Sequence, residues 1–74
     1  MKIVGFFDNI EEQVGFRFSG MKTVVIKNEK ELEDKVSNLG EDVGILVVSK
    51  NIANINRDLF DDLKKNRLPL ILEI

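Results

Sequence analysis

The sequence predicts an α/β fold: a three-layer sandwich with a four-stranded parallel sheet at its centre and helices on both faces. Two observations carry that expectation. Four short apolar runs, at 2–7, 23–26, 43–48 and 70–74, lack polar alternation, as strands buried on both faces do. Stretches with apolar residues at helical spacing separate each run from the next. Every crossover is therefore a helix, and helical crossovers join parallel strands with right-handed connections.

Lys2 to Phe7 opens the chain as a nearly continuous apolar strand. Asp8 and Asn9 follow, both good N-caps, and Asp8 with Glu11 or Asn9 with Glu12 has capping-box spacing. Ile10, Val14 and Phe18 then recur every four residues as one apolar stripe, and Gly20 falls where a left-handed C-cap belongs. Gly15 sits inside this helix, where glycine costs about 1 kcal/mol relative to alanine. Close approach of another backbone is the simplest compensation. Thr23 to Ile26 is a short β-branched strand between Lys22 and Lys27.

Asn28 caps the second helix, with Glu31 three residues on and Leu32, Val36 and Leu39 as its buried stripe. Glu31 and Lys35 form an i,i+4 pair of favourable polarity, and Gly40 ends the helix. Val43 to Val48 is the most hydrophobic strand and belongs at the centre of the sheet. Ser49 caps a third helix, in which Ile52, Ile55, Leu59 and Leu63 hold the apolar register with Phe60 beside it. Lys64, Lys65 and Arg67 gather at its C-terminus, where the helix dipole favours cations. Pro69 bars further helix. Leu70 to Ile74 is the last strand. The expected strand order in this flavodoxin/Rossmann-like sandwich is 2-1-3-4, by analogy with the doubly wound flavodoxin-like order. It leaves Leu70 to Ile74 as an apolar edge that invites a partner.

Composition bounds the function. Residues 1–74 make one domain, and a chain this short buries only about 60% of its extended surface. With 43% hydrophobic and 32% charged residues, the balance is that of a folded globular domain. A net charge of -2 with the signs interspersed argues against a nucleic-acid partner. No apolar run is long enough for direct membrane insertion, and no secretory signal precedes the first strand. The chain has no Cys and no His, which removes thiolates and the commonest general base and metal ligand. A cytoplasmic location is expected.

Chemistry in a doubly wound sheet belongs beyond the carboxyl ends of the strands, at the switch point between the first and third. The groups there are Asp8, Asn9, Ser49, Lys50 and Asn51. Asp8 and Lys50 would serve as an acid–base or phosphate-handling pair. The simpler account makes Asp8 or Asn9 and Ser49 helix caps, with Lys50 solvated. No phosphate-cradling glycine loop follows the first strand. The acidic pairs Glu11–Glu12, Glu41–Asp42 and Asp61–Asp62 diverge as sequence neighbours and fit solvated faces better than a metal site. Phe6, Phe7, Phe16, Phe18 and Phe60 fit a core better than an aromatic ligand box. No catalytic, cofactor or metal residue is expected. Phe16 is the exception among the aromatics: it lies off the Ile10–Val14–Phe18 stripe, and beside Arg17 it has the chemistry of a protein-binding hot spot.

Several segments, in order, resemble one family. Lys2-Ile3-Val4-Gly5 with an acid at Asp8 is similar to the first strand and turn of the F subunit of the V-type and archaeal-type rotary ATPases. Gly15-Phe16-Arg17-Phe18-Ser19-Gly20 resembles its G-F-x-L-A-G-like segment, with Phe18-Ser19 in place of Leu-Ala. Glu29 to Val36 resembles its acidic second helix. Val43 to Val48 followed by Ser49, Lys50 and Asn51-Ile52-Ala53 resembles its third strand and turn, and Leu68 to Ile74 its closing strand.

The resemblance implies a non-catalytic rotor part on the central stalk, bound to the coiled-coil D subunit of the stalk and to neighbouring subunits. It would help couple ATP hydrolysis or synthesis to proton or sodium transport, peripheral to the membrane. Family members usually continue into a C-terminal helical segment, for which these 74 residues hold no counterpart. Two other classes compete: a receiver-like signalling domain, with Asp8 helping to bind a divalent cation, and a small flavodoxin-like ligand-binding domain. The first needs a phosphoacceptor Asp at the end of the third strand and the second a phosphate loop.

Overall fold

Valine, isoleucine and phenylalanine dominate Lys2–Phe7 and Val43–Val48, and both segments are strands, β1 and β3. The computed structural model describes residues 2–11 and 20–74. The other elements that lie wholly within the described residues are, in chain order, β2 (Lys22–Val25), α1 (Glu29–Ser37), α2 (Lys50–Ile55), α3 (Arg57–Lys64) and β4 (Leu70–Glu73). All strand pairings are parallel and the sheet order is β2-β1-β3-β4, the order the sequence predicts.

Register fixes which side chains share a face. Val4 stands beside Leu46, and Phe6 lies between Val24 and Val48. With Ile71 of β4 these residues make one face of the pleat. The three helices cover it. Leu32 of α1, Ile52 and Ala53 of α2 and Phe60 of α3 are buried there, and Val36, Leu39, Ile55, Leu59 and Leu63 pack around them. Burying one such large apolar side chain contributes about 1.5–3 kcal/mol. The other face holds a smaller cluster of Phe7, Met21 and Val47, with Ile45 against it. The helix layer expected on that side falls largely on residues 12–19, outside the described residues. Ile10 and Glu11, just before that segment, are helical. Gly20, just after it, has the left-handed φ of 82° expected of a C-cap.

Three local expectations are corrected. The single third helix is two: it breaks at Asn56, whose extended backbone stops α2 and whose Oδ1 accepts the Leu59 N–H at 3.1 Å to start α3. An asparagine in mid-stripe competes for backbone donors and caps a new helix rather than continuing the old one. The second helix ends at Ser37, before Gly40. Asn38 closes it, with its N–H and its Nδ2 on the Asp34 carbonyl at 3.1 and 2.8 Å, and the Leu39 N–H takes the Val36 carbonyl at 3.2 Å. Glu31 turns to its own N-terminus, accepting the Lys27 N–H at 2.9 Å, and makes no ion pair with Lys35. A backbone donor in the first turn is closer and better oriented than an ammonium on a long, exposed stem.

Candidate functional site

The switch point forms where β1 and β3 end side by side. Phe6 and Val48 are the last paired residues, and the Ser49 N–H continues the ladder to the Phe6 carbonyl at 3.1 Å. Ser49 is buried and caps α2, its Oγ accepting the Ile52 N–H at 3.3 Å. The same hydroxyl donates to Asp8 Oδ1 at 3.2 Å, and Asn51 Nδ2 donates to Asp8 Oδ2 at 2.7 Å. Both carboxylate oxygens of Asp8 are thus held from the β3–α2 turn. The Asn51 bond above all, with the backbone N–H of Asp8 and the Ser49 hydroxyl, outweighs desolvation and holds the Asp8 carboxyl below its ordinary value.

Asp8, Ser49 and Asn51 therefore come together as the sequence placed them, and what they form is a clamp between two loops. A carboxylate held anionic by two donors is a weak proton acceptor. Lys50 does not join it. Its backbone N–H donates to the Ile74 carbonyl at 3.2 Å, while its side chain is exposed and makes no ion pair among the described residues. Asn9 is exposed at the rim.

The other candidates separate. Phe6, Phe7 and Phe60 are core residues. Asp42 pairs with Lys2 at 3.0 Å and Asp62 with Lys65 at 3.5 Å. Among the described residues no three carboxylates converge on a point that would hold a metal ion. Phe16 and Arg17, the expected partner-binding pair, lie outside the described residues, as do Gly15, Phe18 and the other members of their segment.

One cluster escaped the sequence. Arg57 Nη1 reaches Glu73 Oε1 and Oε2 at 2.7 and 2.8 Å, and Lys64 Nζ reaches Oε2 at 3.3 Å. Arg57 first and Lys64 second hold the Glu73 carboxyl below its ordinary value. These bonds tie α3 to the edge strand. The only available signal was one acid in an otherwise apolar strand, preceded by a helix with basic residues at both ends.

The chain is, as a class, a parallel α/β domain in which Asp8, Ser49 and Asn51 hydrogen-bond to one another at the switch point. Comparison with known families narrows the class: residues 4–74 match the ATP synthase (F/14-kDa) subunit, and the chain belongs to that family. It is an accessory subunit of a V/A-type rotary, ion-transporting ATP synthase, and the other subunits of that complex are its partners. No curated protein and no solved structure gives a match. Among the described residues no helix is long and apolar enough to cross a membrane.

Proposed function

We propose that the chain is a non-catalytic central-stalk subunit that docks on the coiled-coil D subunit of the stalk and helps couple ATP hydrolysis or synthesis to proton or sodium transport. The observation that carries this reading is the family match over residues 4–74. The switch point supports it: Asp8, Ser49 and Asn51 satisfy one another where a nucleotide-binding relative would leave room for a ligand. A receiver-like role is disfavoured because Ser49, a helix cap, stands where the phosphoacceptor Asp would be. In this reading the protein works at the cytoplasmic side, peripheral to the membrane, and binds no cofactor.

The contact with the coiled-coil stalk partner is assigned to Phe16 and Arg17, on their sequence position and hot-spot chemistry. Titration of the protein with the helical hairpin of that stalk partner, followed by calorimetry, tests this. Saturable binding is expected, and Phe16→Ala with Arg17→Ala weakens it by about tenfold or more while the circular dichroism stays unchanged. No binding to the hairpin sinks the stalk assignment; full binding by the double variant sinks only the assignment of the surface.

A further inference from the structure

Away from the switch point, at the amino ends of β1, β2 and β3, lies an open cleft of about 360 Å³. Its volume is at the lower end of the range of small-ligand sites. Val4 and Phe6 of β1, Val24 of β2 and Leu39 after α1 supply its apolar lining. Three lysines also line it, each from a different element: Lys2 from β1, Lys22 from β2 and Lys35 from α1.

The charges do not balance. Among the described residues Asp42 is the only acid lining the cleft, and it is engaged with Lys2 at 3.0 Å. Lys22 and Lys35 have no ion partner among the described residues. The C-terminus of α1 also faces this space, where the Asn38 N–H and Nδ2 go to the Asp34 carbonyl and the Leu39 N–H to the Val36 carbonyl. Two unpaired cations beside a partly exposed apolar wall attract an anion that brings apolar surface with it.

We propose that this cleft binds a small amphiphilic anion, a short apolar group carrying a phosphate or a carboxylate. The apolar part lies on Val24 and Leu39 over the buried Val4 and Phe6, and the anionic head meets Lys22 and Lys35. The Lys2–Asp42 pair closes one side. This site is independent of stalk docking, and either one stands if the other fails.

The test is titration of the isotope-labelled full chain, followed by amide chemical shifts. The probes are hexyl phosphate and hexanoate, with inorganic phosphate and hexylammonium as comparators. Saturable shifts are expected at Val4, Val24 and Leu39 with one or both anionic amphiphiles, and the tighter of the two identifies the head group. Each comparator should bind about tenfold or more weakly. Lys22→Gln with Lys35→Gln should weaken binding by about tenfold or more, while Lys27→Gln with Lys30→Gln, which removes the same charge outside the cleft, should leave it unchanged. The proposal is overturned if neither amphiphile saturates, if hexylammonium binds as well as hexyl phosphate, or if the two double variants behave alike. The amide spectrum of each variant reports its fold directly.

Discussion

On the face of the sheet that carries Val4, Phe6, Leu46 and Val48, three helices leave every one of those side chains buried. On the opposite face Phe7, Met21 and Val47 are buried, yet Leu70 and Leu72 of β4 remain 55% and 44% exposed and Ile3 of β1 41%. Both faces are built from the same residue types, so hydrophobicity alone does not decide the difference. Coverage does. The connections from β2 to β3 and from β3 to β4 run in the same direction across the sheet, so their helices share one side. The two faces therefore differ in what stability rests on them, and substitutions can measure how much.

The largest effect is expected on the covered face. Phe60→Ala removes a ring that is 1% exposed and should cost about 3–5 kcal/mol in urea unfolding. A cost under about 1 kcal/mol would mean that α3 is not a required part of the core. A smaller effect is expected from Gly5→Ala on the opposite face. A Cβ there would lie 2.6 Å from Phe7 Cε2 and 3.2 Å from Met21 Cε, so crowding should cost about 1–3 kcal/mol. An unchanged unfolding midpoint would show that the Phe7 ring swings aside freely. The smallest effect belongs to the exposed part of that face. Leu70→Thr and Leu72→Thr keep strand-compatible side chains and should each change stability by no more than about 0.5 kcal/mol. Losses comparable to that of Phe60→Ala would show that the two leucines are covered in solution.

How far the sequence reached follows the same division. The cores of β1, β3, α1 and β4 were legible because β-branched runs, an Asn28 cap and a Pro69 stop are local signals. The order of the strands followed from the helical crossovers. The break at Asn56 was missed because the apolar stripe through Ile55 and Leu59 reads straight across it, although Asn56 three residues before Leu59 and Asp58 in the first turn were a usable cap signature. β4 taught a different lesson. Leu70, Ile71 and Leu72 are uninterrupted, which reads as burial on both sides, but only Ile71 packs against the large core. At the site, the meeting of Asp8 with Ser49 and Asn51 was readable from topology. The direction of those hydrogen bonds was not, nor was the gathering of Lys2, Lys22 and Lys35 around one cleft, because both depend on register.

The sheet order also governs how the chain must come together. Val4 finds Lys22, Ile3 waits for Ile45, and Ile45 in turn needs Leu70. No two strands that touch are joined by a tight hairpin, so none of these contacts is local. As the polypeptide emerges from the ribosome, its first strand, destined for the interior of the sheet, stays half-dressed until the third has been made. Until then Phe6 lacks Val48 beside it and Phe7 lacks Val47, and apolar surface left uncovered during this interval of synthesis is prone to sticking to the wrong neighbour.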